Sequence, residues 1–396
     1  MSLFSFQKST QRIGAILDIG SGSVLTAIVS STPGDTAPTI IWSNREHAPL
    51  KDIDSLDQSA KSIMTALVNA LLKFDVDGRR ALYEFNKKAS ISEIQCCISA
   101  PWAYTVSKTI EYAEDSPFEV TKALLDELTE AALSKTQVEL NENEAVNELG
   151  LTVITRSTVD ILTNGYRIKN PIGEKASQVA LSHVSVVTQK YLTDHIDELK
   201  HKLFANTTIH KLSYILALYS VAQDILPDQH EICLVDITYE ATEIGIVREG
   251  SLKYSTHTPF GAFSLAREIS NITSVPLYEA FQYLHSAEPL EFVKNLPDKQ
   301  QDEIAAVIEA YTQKVADLFH ETGDDLSIPR RIYLHTNLQS EPFFATIITA
   351  AGTRALKSAP EVKTITPLIV DRVNRLAANP NSDTAMLVSA MFFHTQ

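Results

Sequence analysis

A strand that ends in aspartate, a short polar turn and a second strand fill residues 12–30, and this pattern constrains the fold more than any other stretch. The first apolar run ends at Asp18, the turn reads Ile-Gly-Ser-Gly-Ser, and the second run begins at Val24. Two such runs joined by a glycine-containing turn predict a β-hairpin. Glycines let a ligand approach the backbone, and successive turn amides form an anion-binding nest. Because a carboxylate beside that nest would repel bare phosphate, Asp18 indicates a Mg²⁺–nucleotide, with an ordinary polar hairpin as the alternative.

The same pattern returns at residues 231–247, where an apolar strand ends at Asp236 and a second strand follows a polar turn. The two aspartates are 218 residues apart (236 − 18). The two hairpins look like one architectural unit used twice. The doubled pattern resembles the actin-like ATPase superfamily, and within it the bacterial cell-division protein FtsA and its pilus relative PilM.

The resemblance implies an α/β, two-lobed, actin-like (ribonuclease H-like) fold with a small strand–helix–strand–strand insert domain of the FtsA type. The turn at Asn170–Gly173 resembles the sequence that closes this insert. The expected divisions are the first lobe at 1–90 and 177–227, the insert at 91–176, the second lobe at 228–265 and 330–369, its outer helical subdomain at 266–329, and a C-terminal helix at 370–396 that returns to the first lobe.

Apolar periodicity and turn residues predict the elements between the hairpins. A helix is expected over 59–74 and a strand over 93–100. The Asn164-Gly165 turn is expected within an antiparallel pair made of residues 149–160 and 161–168. Residues 370–377 are expected to be helical, and a final helix is expected over 382–393.

The resemblance also assigns roles to residues. Asp18 and Asp236 would hold Mg²⁺, and the candidates for catalysis are Asp236 and Glu243, the latter forming a water-positioning pair with Thr242. The expected nucleotide-binding positions are Asp18, Gly20, Ser21, Gly22, Ser23, Asp236, Thr238, Thr242, Gly261, Thr336 and Asn337.

Several of these positions depart from the family pattern. The second hairpin of FtsA-like proteins reads Asp-Ile-Gly-Gly-Gly-Thr-Thr-Asp, whereas residues 236–243 read Asp-Ile-Thr-Tyr-Glu-Ala-Thr-Glu. The adenosine turn after the strand at 331–334 lacks its glycine pair, and Leu25 stands where PilM-type sequences have lysine. The chain therefore resembles a degenerate ATPase in which binding of ATP with Mg²⁺ is weak or lost.

Charge and composition limit the partners. The chain carries 34 Lys and Arg against 49 Asp and Glu, a net charge of −15, without a dense basic run. This disfavours nucleic acid, since phosphate backbones are bound by clustered cations. No apolar run approaches the length of a transmembrane helix, and the three cysteines have no metal-ligand spacing. We expect a cytoplasmic protein that lacks FtsA's C-terminal amphipathic helix. Its contact with the membrane is then expected through a partner, through the N-terminal Phe4 and Phe6, or not at all.

The leading hypothesis is an FtsA-like cell-division scaffold with weak or no ATPase activity. Its expected partner is the C-terminal tail of the tubulin homologue FtsZ, bound on residues 263–330, where Arg267, Lys294, Lys299 and Lys314 alternate with acids. Self-association into filaments is also implied. The alternatives are a PilM-like pilus assembly protein that binds a peptide of an inner-membrane pilus protein, and an active ATPase or kinase on the same fold.

Overall fold

The computed structural model describes residues 11–49, 56–142, 150–168, 170–286, 288, 290–322, 327–336, 340–375 and 383–396. These residues form three β-sheets with helices packed on them. Asn337 lies outside the described residues. Within the described ranges, every helix is too short or too polar to cross a bilayer.

The first sheet has six strands. In spatial order they are β15 (Asn374–Arg375), β3 (Thr39–His47), β2 (Ser23–Ser31), β1 (Arg12–Ile19), β4 (Glu93–Ile98) and β9 (Thr208–Ser213). The predicted first hairpin is confirmed, because β1 and β2 pair antiparallel with Asp18 opposite Leu25. Every residue of β2 is buried, because helices cover the sheet.

The helices that share a core with this sheet are α1 (Leu56–Lys73), α2 (Arg79–Phe85), α4 (Lys190–Leu203), α5 (Tyr214–Ile225) and α11 (Thr384–Thr395). One turn of π-helix at Phe74–Gly78 joins α1 to α2. Helix α11 returns to β1 and β2. A Cβ atom placed on Gly14 would lie 2.2 Å from the ring of Phe393, so the helix lies directly on the strand backbone.

The second sheet repeats the hairpin. Its strands, in spatial order, are β12 (Ser251–Thr258), β11 (Thr242–Arg248), β10 (Ile232–Ile237), β13 (Arg331–Thr336) and β14 (Glu361–Thr364). Strands β10 and β11 pair antiparallel with Asp236 opposite Glu243, which confirms the second predicted hairpin. The helices that follow are α6 (Ala262–Thr273), α7 (Leu277–Tyr283), α8 (Asp298–His320), α9 (Glu341–Leu356) and α10 (Thr366–Ile369).

A third sheet is inserted in the chain between β4 and β9 of the first sheet. Its strands, in spatial order, are β5 (Ala103–Glu119), β8 (Lys175–Gln189), β6 (Leu151–Thr163) and β7 (Tyr166–Arg167). Helix α3 (Lys122–Glu142) covers it. The sheet and helix share a separate apolar core that includes Val120, Leu128 and Val179.

The sheets place two strands differently from the sequence prediction. Strand β4 was expected in the insert, yet it pairs in parallel with β1 and β9 inside the first sheet. Strand β8 was expected in the first lobe, yet it pairs with β5 and β6 in the third sheet. We therefore propose limits of 103–189 for the insert, in place of 91–176.

Two further predictions are corrected. Residues 149–168 do not divide at residue 160, because one strand runs through Leu151–Thr163 and only Tyr166–Arg167 returns after the turn. The turn itself is confirmed, with Asn164 and Gly165 at φ of 52° and 82°. In the described part of the helix predicted over 370–377, the structure instead has a 3₁₀ turn at Val370–Arg372 and then β15, and residues 376 and 377 lie outside the described residues.

Candidate functional site

The turns of the two hairpins face each other and are hydrogen-bonded together. The Ser21 hydroxyl donates to Oγ1 of Thr238 over 2.8 Å, and the backbone N–H of Glu240 donates to Ser21 Oγ over 2.9 Å. Ser21 and Thr238 are both buried. The polar groups that the sequence assigned to phosphate are thus satisfied by the opposite turn.

The side chain of Tyr239 fills the space beside Gly22. A Cβ atom placed on Gly22 would lie 2.2 Å from Cγ of the Tyr239 ring, so the ring lies against the bare backbone of the first turn. The same ring stacks on Phe281 and tilts against Phe263, with centroid distances of 5.4 and 4.6 Å. Its hydroxyl is 2.9 Å from Nδ1 of His47. Burial raises the pKa of Tyr239 to about 12, so this hydroxyl is protonated at neutral pH.

The start of helix α6 is also occupied by the second turn. The backbone N–H groups of Ala262 and Phe263 donate to the carbonyls of Thr238 and Tyr239 over 3.0 and 2.8 Å. A Cβ atom on Gly261 would lie 2.4 Å from the Tyr239 carbonyl oxygen, so only glycine permits this approach. Amides that could bind an anion at a helix N-terminus are therefore used internally.

Gly20, Ser23 and Thr242 also have partners inside the protein, whereas the Thr336 hydroxyl has none among the described residues. The carbonyl of Gly20 accepts from Trp102 Nε1 over 3.0 Å, and Ser23 Oγ accepts from Arg45 Nη1 over 2.7 Å. Thr242 Oγ1 donates to the Phe260 carbonyl and lies 2.7 Å from the Tyr311 hydroxyl. Thr336 is buried at the end of β13. Because the Thr242 hydroxyl is already bonded to these two groups, it is not free to position a water molecule as the sequence predicted.

Glu240 does not place an open negative charge at the turn. Both of its carboxylate oxygens accept from Arg267, over 3.0 and 2.6 Å, in a two-pronged contact. This geometry is the strong form of an arginine–carboxylate pair. The glutamate that the sequence suggested would repel phosphate is instead neutralised within the second lobe.

Three carboxyl groups are buried where the hairpins meet: Asp18, Asp236 and Glu243. Burial raises the pKa of Asp18 to about 7, with Arg45 acting in the opposite direction. Burial, together with Asp236, raises the pKa of Glu243 well above its usual value. Within the described residues, neither carboxylate oxygen of Asp18 has a hydrogen-bond partner.

A buried chain of three side chains holds Asp236. Its Oδ1 is 2.7 Å from Nδ1 of His335, whose Nε2 is 3.0 Å from the Tyr214 hydroxyl. His335 is the second-last residue of β13 and pairs with Asp236 of β10, and Tyr214 begins α5. His335 stands where the sequence lacked the expected glycines. The signal that could have revealed its role is a histidine near the end of a strand that lies parallel to a strand with an aspartate near its end.

Arg45 is a further charged residue of this site that the sequence reasoning missed. It lies on β3 directly opposite Leu25, the position that lacks the lysine of PilM-type sequences. Its Nε donates to Asp383 Oδ2 over 2.5 Å, and Asp383 in turn caps α11 by accepting from the Met386 N–H. A neighbouring strand therefore supplies the cation near Asp18.

These contacts determine whether Mg²⁺ and a nucleotide can bind between the two hairpin turns. Across the described ranges, no three His, Cys, Asp or Glu side chains are placed to share a metal ion. Tyr239 occupies the space against Gly22, and Ser21 binds the opposite turn. In this arrangement the residues present do not fit a bound nucleoside triphosphate, because the two turns would have to separate before its phosphates could enter.

Comparison with known proteins gives structural likeness at low sequence identity. No protein-family model matches the chain, and no curated protein sequence matches it. The structure is similar to one described as the PilM–PilN type IV pilus biogenesis complex, with a TM-score of 0.58, 13% identity and 98% of each chain covered. It is also similar to ethanolamine utilization protein EutJ from Carboxydothermus hydrogenoformans, with a TM-score of 0.44, 12% identity, and 97% and 90% of the two chains covered. A Bacteroides thetaiotaomicron protein with an actin-like ATPase fold and unknown function gives a TM-score of 0.39 at 10% identity, with 98% and 99% covered.

Proposed function

Because this chain has the actin-like ATPase fold over almost its whole length, we propose that it is a protein-binding scaffold whose lobes are joined by its own side chains instead of a nucleotide. The observation that carries this proposal is the direct contact between the two turns, made by Ser21 with Thr238 and by Tyr239 with Gly22. Because the two lobes are held together without a nucleotide, their outer surfaces keep a fixed arrangement to which partner proteins can bind. Such a body acts as a binding platform and not as an ATPase.

We expect Mg²⁺–ATP and Mg²⁺–ADP to leave the melting temperature unchanged. A nucleotide supplied at 100 times its Kd would raise the free energy of unfolding by about 2.7 kcal/mol, which a thermal melt detects readily. Hydrolysis measured by phosphate release should stay at the buffer rate, far below the median enzyme turnover of about 10 per second. Robust hydrolysis that is lost in Asp236→Ala would contradict the proposal and favour the ATPase or kinase alternative.

Two biological roles fit such a scaffold. The likeness to the PilM–PilN complex supports a PilM-like role, in which the partner is a peptide of an inner-membrane pilus protein and recruitment to the cytoplasmic face of the membrane follows from it. The FtsA-like role, with the FtsZ tail as partner, stays a proposal. Its site was expected on the outer helical subdomain.

The cations expected to hold the FtsZ tail have partners within the chain. Arg267 binds Glu240, Lys294 contacts Glu291, Lys299 pairs with Glu303, and Lys314 lies over the Phe260 ring. What favours this surface is a cavity of about 250 Å³. Its lining includes Leu290, Ile308, Phe343 and Ile347. An apolar side chain of a partner peptide fits such a cavity better than a carboxylate does.

The FtsZ hypothesis is tested by titrating the labelled FtsZ tail from the same organism. If the cavity binds it, Leu290→Glu should weaken binding at least about tenfold, because a buried charge replaces an apolar contact. Leu72→Glu is the matched control, since it makes the same change at an exposed leucine that lies outside the cavity. No saturable binding, or equal loss in both variants, would remove FtsZ as a partner at this surface.

A further inference from the structure

An open groove lies at the end of the first sheet where the parallel strands β1, β4 and β9 begin. Its volume is about 360 Å³. The residues just before β4 form one wall, the residues just before β9 form a second, and α2 forms a third. We call it the α2 groove. Its apolar lining includes Leu82, Tyr83, Ile91, Leu203 and Phe204.

The walls of the α2 groove are fixed by contacts inside the protein. The Phe204 ring meets the Phe74 ring edge to face, with their centroids 5.2 Å apart. The Arg79 guanidinium lies 5.4 Å from the centroid of Phe204 and donates to the Leu203 carbonyl over 2.7 Å. On the rim, Tyr83 exposes 58% of its surface. A preformed apolar groove with an exposed aromatic ring at its edge is the usual form of a site for an apolar group.

Charge does not select the occupant of this groove. The surrounding residues 74–92 and 190–207 carry seven Lys and Arg against six Asp and Glu, a balance of +1 (7 − 6). Some of these charges also form ion pairs with each other, as Arg79 does with Asp75 over 2.6 Å. The groove is therefore nearly neutral, and apolar contact is what it offers a ligand.

The first ten residues of the chain have the matching chemistry. They precede the described part of the chain and read MSLFSFQKST. Leu3, Phe4 and Phe6 place three large apolar side chains within four residues, and Lys8 is the only charged side chain of the ten. We call residues 1–10 the N-terminal segment.

The N-terminal segment joins the fold beside the α2 groove. The described chain begins at Gln11, next to β1, and the N–H of Ser92 donates to the Ile13 carbonyl over 3.0 Å. Ser92 directly follows Ile91, which lines the groove. Phe6 lies five residues before Gln11, a reach of roughly 17 Å at 3.3 Å per residue, whereas neighbouring strands are only about 4.8 Å apart. The apolar residues of the segment therefore reach the groove of their own chain.

We propose that residues 3–6 dock in the α2 groove of the same chain. In an extended segment, Phe4 and Phe6 point to the same side, so both rings face the groove together. A ligand joined by a short linker is present at an effective concentration of about 1 mM, so a modest intrinsic affinity is enough. The docked segment ties the start of β1 to α2, and any other ligand of this groove has to displace it. This inference does not rest on the proposed function.

Trypsin cleavage after Lys8, followed by mass spectrometry of the full chain, tests the proposal. A protease must hold several extended residues on each side of the bond, and a segment fixed at both ends withholds them. Phe4→Ser combined with Phe6→Ser should speed this cleavage about tenfold, and so should Tyr83→Glu. At an effective concentration of about 1 mM, tenfold protection corresponds to a Kd near 0.1 mM. Synthetic peptides of residues 1–12, with and without the two serines, correct for the sequence preference of trypsin.

Leu72→Glu is the matched control for Tyr83→Glu, since it places a carboxylate at an exposed leucine outside the groove and should leave the cleavage rate unaltered. A second measurement adds the labelled peptide of residues 1–10 to two full chains. It should bind saturably to the chain with Phe4→Ser and Phe6→Ser, and about tenfold more weakly to wild type, whose groove is filled.

Three results would overturn the proposal. The first is equal cleavage of wild type and the double serine variant. The second is protection that grows with protein concentration, because the occupant would then belong to another copy. The third is protection that appears only after vesicles of phosphatidylglycerol and phosphatidylethanolamine are added, because Phe4 and Phe6 would then contact lipid instead of the groove.

Discussion

Replacing Tyr239 by alanine is expected to lower the free energy of unfolding by about 3–5 kcal/mol, the range found for large aromatic residues removed from a core. The ring is 3% exposed and contacts both lobes, with Gly22 on one side and Phe263 and Phe281 on the other. Its removal leaves a cavity between the two hairpin turns. Denaturant unfolding with an unchanged slope would measure the loss directly.

Tyr239→Phe is the matched control. It keeps the ring on Gly22 and removes only the hydroxyl that meets His47, so the expected cost is about 1 kcal/mol. In the wild-type chain, Gly22→Ala should lower the free energy of unfolding by much of the amount expected for Tyr239→Ala, since the added methyl overlaps the Tyr239 ring. In the Tyr239→Ala background the same substitution should cost far less. Additive effects of these two substitutions would show that the ring does not join the turns.

Replacing Asp18 by asparagine is expected to change stability by amounts that depend strongly on pH. Burial raises the pKa of Asp18 from 3.8 to about 7 in the folded protein. Between these values the folded state holds a proton that the unfolded state has lost, so the free energy of unfolding falls as pH rises. Above pH 7 the folded carboxyl is ionised too, and the loss is complete. At 1.36 kcal/mol per pKa unit, the whole change is on the order of 4 kcal/mol.

The measurement is the stability difference between Asp18→Asn and wild type at pH 4 and at pH 8. The buried amide costs the same at both values, whereas the ionised carboxylate penalises only the wild type at pH 8. The variant should therefore gain about 4 kcal/mol relative to wild type between the two pH values. Glu243 is present in both proteins, so its own titration cancels. The exposed Asp35→Asn should show no such gain, and an equal gain there would refute the assignment.

The hairpins could be predicted because their signal is local. Each shows an apolar run, an aspartate and a polar turn within about twenty residues, and the observed pairing follows that order. Sheet membership is not local. The run at Glu93–Ile98 is equally compatible with the insert and with the first lobe, and only its pairing with β1, some 79 residues earlier (93 − 14), decides the matter.

The sequence predicted which residues of a nucleotide site are missing. It did not predict which side chains fill the space that they leave. The sequence showed that glycines were missing at Thr238–Glu240, and hence that Cβ atoms stand where phosphate would lie. It could not show that the Tyr239 ring crosses to Gly22, since the two are 217 residues apart (239 − 22). Arg45 was hidden for a related reason. A bulge at Ile28 and Val29 shifts the β2–β3 register that places it opposite Leu25.

The return of α11 to the first sheet affects the order in which a newly made chain can fold. Phe393 packs on Gly14, and 379 residues (393 − 14) separate them, so at 5–20 residues per second the ribosome needs roughly 20–75 s to supply the helix. The strands of the second sheet all lie between Ile232 and Thr364, so that sheet can form earlier. During synthesis β1 is thus covered by α11 long after it has been made, and throughout that interval the face that α11 covers is open to chaperones.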